Sequence, residues 1–163
     1  MAQQKQLQDL FTETLKDIYY AEKQILRALP KMAKSAQSSE LRDAFQHHRE
    51  QTEGQIERLE RVFEMLGKGA RGKECQAIVG IIEEAKEVME EFSDTDALDA
   101  GLLSSAQAVE HYEIARYGTL KNWARQIGLN DAVPLLEETL KEEKETDAIL
   151  TRLADANVNK KAA

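Results

Sequence analysis

Two glutamates interrupt the apolar stripe of a predicted helix in residues 106–120, AQAVEHYEIARYGTL. At helical spacing, Glu113 falls in the middle of this stripe and Glu110 lies on its shoulder. A carboxylate that points into a protein core is costly unless hydrogen bonds or cations compensate its charge. The spacing therefore predicts a polar site inside the protein, and its chemistry depends on what these two acids meet.

A metal centre would compensate such acids, since other segments present similar inward groups. Five carboxylates that converge in one core cannot all stay ionised without cations, and two divalent ions would supply four positive charges. Carboxylate oxygens with an imidazole suit iron or manganese, and a helix bundle can hold two such ions. We therefore predict a site for two ions of iron or manganese, bridged by Glu113 or Glu143, that would oxidise ferrous iron or reduce peroxide. Its candidate ligands are Glu22, His48, Glu110, Glu113, Glu143 and Asp147.

The second helical segment offers an imidazole but lacks the Glu-x-x-His motif of the usual di-iron carboxylate bundles. The nearest match runs from Glu50 to Glu53. On a helical wheel, Glu50 lies almost opposite the apolar stripe, and Glu53 also lies well away from it. His48 is therefore the preferred ligand of this segment, Glu53 ranks second, and Glu50 stays an alternative.

The same acids also fit a protein without a metal. Arg116 lies near the stripe of Glu113 and could pair with it or with Glu110. Water and tyrosine hydroxyl groups could donate hydrogen bonds to the other carboxylates. The alternative function is that of a non-catalytic dimeric structural or interaction protein. The candidate hydroxyl donors are Tyr19, Tyr20, Tyr112 and Tyr117.

The charge of the chain argues against two classes of partner. Its 163 residues carry a formal net charge of −8, which disfavours binding to nucleic acid or to an anionic membrane. No segment has the length of an apolar membrane span, and the N-terminal residues lack the apolar region of a signal peptide. The single cysteine, Cys75, excludes a disulfide framework within the chain. We therefore expect a cytoplasmic protein whose partners are a metal ion or a small oxidant.

The helical spacing of apolar residues, and the residues that favour helix starts and ends, predict an all-α protein. The spacing indicates four long helices and one shorter amphipathic helix, over residues 4–36, 40–66, 75–92, 96–127 and 131–156. Short links favour antiparallel hairpins within each pair of long helices, whereas a link of about 30 residues between the pairs can cross the whole bundle. This order predicts a ferritin-like four-helix bundle with one long crossover that carries the short fifth helix. We expect one helical domain over residues 1–156 and a flexible tail over residues 157–163.

Four blocks of sequence, one in each long helix, are specific enough to suggest a family. They are YYAEKQ at 19–24, TEGQIER at 52–58, VEHYEIARYGTL at 109–120 and EEKETD at 142–147. With NVNKK at 157–161, they resemble the YciF family of bacterial stress proteins. The resemblance implies a ferritin-like fold related to rubrerythrin-type di-iron proteins, and a role under stress. It also implies a homodimer whose interface includes the helix of residues 75–92, but it implies no known reaction.

Overall fold

The fold consists of helices joined by short turns and one long connection. The computed structural model describes residues 4–163, and no helix within them has both the length and the hydropathy that a membrane span requires. Each main helix begins and ends within about one turn of the predicted position, which confirms the all-α class. The helices are α1 (Leu7–Ser35), α2 (Ser39–Met65), α3 (Gln76–Glu91), α4 (Leu98–Gln126) and α5 (Val133–Leu153).

Four of these helices form a bundle in which each helix has two neighbours. α1 packs against α2 and α4, and α5 packs against the same two helices. Neighbouring helices run antiparallel, since Gln55 of α2 bonds to Glu142 of α5 whereas Gln51 bonds to Thr146. The long connection carries α3 along the outside of α1 and α4. The predicted ferritin-like bundle with one crossover and a fifth helix is confirmed.

Apolar side chains at helical spacing hold the bundle together above and below its middle. On α1, Phe11, Leu15 and Ile18 precede the middle and Leu29 follows it, and all four are at most 3% exposed. Burial of each such side chain stabilises the fold by roughly 1.5–3 kcal/mol. These apolar layers leave a polar layer at mid-height, where the predicted site residues lie.

α3 approaches α4 closely because Gly101 has no side chain. A Cβ atom at this position would lie 2.5 Å from Cγ1 of Val88, well inside the normal contact distance of carbon atoms. The start of α3 is fixed by Cys75, whose Sγ lies 3.0 Å from the hydroxyl of Tyr112 on α4. These contacts place α3 over the groove between α1 and α4.

The C-terminal residues are helical and do not match the tail that the composition predicts. The chain forms a π-helical turn over Ala154–Val158 and a last helical turn over Asn159–Ala162. Val158 is 5% exposed and belongs to the apolar core. The flexible tail predicted for residues 157–163 is therefore replaced by helical turns, and Val158 is buried near Ser38 and Asp99 although its sequence neighbours are polar.

Candidate metal centre

Three helices bring four potential metal ligands together inside the bundle. The group comprises His48 from α2, Glu110 and Glu113 from α4, and Glu143 from α5, and one ligand atom from each lies within 4.8 Å of the others. The three glutamates are 0% exposed and the histidine is 2% exposed. The four side chains thus form one enclosed group with three carboxylates and one imidazole.

His48 occupies the centre of the group. Its Nδ1 lies 3.0 Å from Oε1 of Glu110, while its Nε2 lies 3.8 Å from Oε2 of Glu143 and 3.9 Å from Oε2 of Glu113. Because Glu110 and Glu113 are three residues apart on α4, both project toward the same side of that helix. Imidazole and carboxylate atoms from three separate elements therefore surround one small volume.

The polar atoms of this group receive no hydrogen bond from the rest of the protein. Within residues 4–163, no donor outside the group reaches the buried carboxylate oxygens of Glu110, Glu113 and Glu143, and inside the group Nδ1 of His48 approaches Oε1 of Glu110 to 3.0 Å. Buried polar groups are hydrogen-bonded in the great majority of proteins, so unpartnered groups at this density need an explanation. These oxygen and nitrogen atoms are of the kinds that coordinate metal ions, so the group could hold a metal ion.

Burial and mutual repulsion disfavour charge in this layer. Burial, and then interactions with Glu143, raise the pKa values of Glu110 and Glu113 well above their usual range. Burial also lowers the pKa of His48, so its imidazole is neutral and free to act as a ligand. Without cations, the folded chain therefore keeps protons on acids that would be ionised in water.

Glu22 of α1 lies beside this group and is held by a tyrosine. The hydroxyl of Tyr117 donates a hydrogen bond to Oε1 of Glu22, whereas Oε2 has no partner within the described residues. Glu22 is 0% exposed, and burial followed by repulsion from Glu143 raises its pKa to about 8. Glu22 also helps to raise the pKa of Glu113, so the two carboxylates belong to one electrostatic cluster.

Asp147 does not join the cluster. Its side chain is 23% exposed, accepts a hydrogen bond of 3.2 Å from Gln107 and lies 3.2 Å from Nε2 of His111. Asp147 lies four positions after Glu143, so its side chain points about 40° away from that of Glu143 around the axis of α5. The buried face of α5 extends the other way, toward Thr146, so the inward orientation predicted for Asp147 is wrong.

The structure also decides between the alternatives on α2. His48 is buried, whereas Glu50 and Glu53 are exposed, as the helical wheel predicts. The side chain of Glu53 is 56% exposed and lies 4.0 Å from Arg49 on the same helix. Glu50 and Glu53 therefore do not reach the cluster.

The groups expected to neutralise the acids in a metal-free protein are mostly engaged elsewhere. Arg116 is exposed, and its guanidinium lies 5.4 Å from the centre of the Tyr112 ring. Tyr19 donates to Glu60, and Tyr112 bonds to Cys75. Of the proposed donors, Tyr117 does bond to a buried acid, and the proposal that Arg116 pairs with Glu113 or Glu110 is wrong.

A second polar network, not identified from the sequence, joins α2 to α5 beside the cluster. Gln55 is 0% exposed and donates a 2.9 Å hydrogen bond to Glu142, which also accepts a 2.6 Å bond from Arg58. Arg58 also donates a 3.1 Å bond to the hydroxyl of Thr139. Gln55 lies three residues after Thr52 of the helix stripe, and this spacing was the signal that could have found it. These hydrogen bonds hold α2 against α5 at the position where Glu143 points into the core.

Comparison with known proteins identifies the family. Residues 6–163 match the family described as a domain of unknown function, DUF892. The chain belongs to the DUF892 family. It is 49% identical to Protein YciF of Escherichia coli K12 over 159 residues, which cover 97% of this chain and 96% of that protein. The resemblance to YciF seen in the sequence is thereby confirmed.

Solved structures share the fold of this DUF892 chain. The crystal structure of the E. coli stress protein YciF has a TM-score of 0.91 and 48% identity, with 96% of this chain and 99% of that chain covered. YcfI of Rhodopseudomonas palustris, described as a candidate structural protein, has a TM-score of 0.88 and 48% identity, with coverage of 90% and 94%. A protein of Xanthomonas campestris at 24% identity has a TM-score of 0.75 with 96% coverage of both chains, and that likeness shows the fold alone.

Proposed function

We propose that this chain binds iron or manganese in its bundle core and handles ferrous iron or an oxidant during stress. The supporting observation is the enclosed set of carboxylates around His48, whose oxygens receive no hydrogen bond from any described residue outside the group. A divalent ion would remove the penalty of burying these groups, and it would supply redox chemistry when bound. The proposed role under stress rests on the description of the E. coli relative as a stress protein.

The proposed ligands divide into an inner group and one outer acid. His48, Glu110, Glu113 and Glu143 would hold the first ion, because their ligand atoms already lie within 4.8 Å of one another. Glu22 would contribute to a second position, sharing Glu113 or Glu143 as a bridge. Four buried carboxylates match the four positive charges of two divalent ions when His48 is neutral. Tyr117 would keep Glu22 in place through its hydroxyl.

Metal analysis and thermal unfolding test the proposal together. Protein purified without chelator should contain iron or manganese, and EDTA should lower its melting temperature. Ferrous iron added under anaerobic conditions should raise the melting temperature again, by an amount equivalent to about 2.7 kcal/mol when the free ion is about a hundredfold above its dissociation constant.

A matched pair of variants locates the site. Glu113→Ala should lose both the bound metal and the thermal response, whereas Glu53→Ala changes an exposed glutamate and should keep both. Absence of iron and manganese from the wild-type chain, with no thermal response to either ion, would end the proposal.

A second candidate function is that of a non-catalytic structural or interaction protein that acts as a homodimer through α3. Two observations favour it: the description of the Rhodopseudomonas relative, and an apolar face on α3 that the bundle covers incompletely. Ile81, Ile82 and Met89 are only partly buried, and Phe92 at the end of α3 is 42% exposed. Under this function, the buried acids stay protonated and the melting temperature does not respond to EDTA or to iron.

A further inference from the structure

A small apolar cavity lies between α1, α3 and α4. Its volume is about 20 Å³, which exceeds the minimum of about 10–15 Å³ that one water molecule needs and leaves room for one small molecule. Met32 of α1, Ala85 of α3 and Ala106 of α4 are among the residues that line it, and His48 and Ser105 are the only lining residues with polar side chains. The walls of the cavity are therefore almost entirely apolar.

The cavity adjoins the metal-binding candidates. Ala106 and Val109 line it from α4, and each lies about one helical turn before Glu110 or Glu113. Ile25 lines it from α1, about one turn after Glu22. His48 belongs to both places, since it lines the cavity and its ring nitrogens lie within 3.0–3.9 Å of the three clustered glutamates. One imidazole thus separates the apolar space from the acidic cluster.

The apolar walls of the cavity favour an apolar guest molecule. A water molecule or a peroxide molecule in a protein interior needs two to four hydrogen-bond partners. Both ring nitrogens of His48 face the clustered glutamates, so Ser105 is the one lining side chain left to bond an occupant. Apolar cavities stay dry and take up apolar guests such as xenon. On the outer side, Ile81 and Ile82 of α3 line the cavity and are themselves only partly buried, so the wall toward solvent is thin.

We infer that this cavity is a binding site for one molecule of dioxygen, held on the His48 side of the cluster. Its purpose rests on the proposed metal function, because a bound ion beside His48 would meet dioxygen arriving from this side. The binding itself needs no metal. The inference also narrows the class of oxidant proposed for the centre, since the walls suit dioxygen and do not suit peroxide.

Nuclear relaxation by dissolved dioxygen tests the site in metal-free protein. Methyl-labelled wild-type protein in EDTA is placed under dioxygen pressure, and the paramagnetic relaxation of each methyl group is measured. The methyl groups of Ala106, which is 2% exposed, and of Val109, which is 7% exposed, should relax faster than those of Ala124 and Leu120, which are 0% exposed and do not line the cavity. Equal enhancement at all four residues would overturn the inference.

A filling variant makes the test specific. Ala106→Leu places a larger side chain in the cavity and should abolish the extra relaxation at Val109. Ala108→Leu enlarges an exposed residue on the same helix and should leave that relaxation unchanged. If Ala106→Leu does not fold, the smaller change Ala85→Val should reduce the same signal. Retained enhancement in a folded filling variant would overturn the site.

A persistent water in the cavity would also overturn the site, and it would appear as a nuclear Overhauser contact between water and the Val109 methyl groups. All of these measurements use metal-free protein, whereas the proposed function is tested by metal content. A failure of the dioxygen site can therefore be distinguished from a failure of the proposed metal function.

Discussion

Replacement of Glu22 by glutamine should stabilise the metal-free protein, and the gain should grow with pH. The substitution keeps the length of the side chain and an amide oxygen that can accept the hydrogen bond from Tyr117. It removes the ionisable proton. Because Glu22 interacts with Glu113 and Glu143, a change in the pH dependence of stability reports the titration of this buried carboxyl group together with its effect on those two neighbours.

The size of the effect follows from the pKa of Glu22. Burial and repulsion from Glu143 raise this pKa from the ordinary 4.5 to about 8 in the folded chain. Because the folded-state pKa is the higher one, the contribution of Glu22 to stability is greatest below pH 4.5 and is lost as the pH rises through 8. Linkage then gives a penalty of roughly 1 kcal/mol at pH 5 and roughly 3 kcal/mol at pH 7.

Urea unfolding in EDTA at pH 5 and pH 7 measures this difference. The free energy of unfolding of Glu22→Gln, relative to wild type, should increase by about 2 kcal/mol between the two pH values. The control Glu53→Gln alters an exposed glutamate and should differ from wild type by less than about 0.5 kcal/mol at both. Parallel pH curves for Glu22→Gln and wild type would refute the reasoning, because Glu22 would then ionise as easily in the folded chain as in the unfolded one.

Two further substitutions test the support of the cluster and the assembly. Tyr117→Phe removes the hydroxyl donor of a fully buried glutamate and should lower the free energy of unfolding by about 1–3 kcal/mol in urea titrations; unchanged stability would show that the bond contributes nothing. Phe92→Asp puts a charge on the exposed apolar end of α3 and should shift a dimer toward monomer in sedimentation velocity, whereas Ser93→Asp, at the next and also exposed position, should not. An equal dimer fraction in both variants would place the interface elsewhere.

The burial of the cluster could be predicted from the sequence because long helices fix rotational phase. In a stripe of four turns, every turn places apolar residues on the same face of the helix. The burial of a residue in the middle of that face can therefore be predicted reliably. Glu22, Glu113 and Glu143 lie at such positions, and all are 0% exposed. The same argument predicted that His48 points inward, and in the structure His48 is buried.

Residues at the edge of a stripe could not be assigned in this way. Asp147 and Arg116 each lie about 40–60° from a buried glutamate, and a helical wheel cannot say which edge a neighbouring helix covers. On α5 the covered edge is that of Thr146, whose hydroxyl bonds to Gln51 of α2. Contacts between distant parts of the chain, such as that of Tyr117 with Glu22, leave no periodic trace in the sequence.

The polar layer is an energetic anomaly in an otherwise apolar bundle. Leu102 precedes it on α4 and Leu120 follows it, and both are 0% exposed. Replacement of buried ionic groups by well-packed apolar side chains is often neutral or stabilising by about 1–4 kcal/mol, so the fold alone gives no reason to keep Glu113 or Glu143. Natural chains depart from good packing mainly at functional sites. A bound cation would reverse the sign of the energy of this layer, because carboxylates whose burial destabilises the metal-free chain would become metal ligands. The rise in stability with metal and its fall with pH in EDTA should therefore come from the same buried carboxylates.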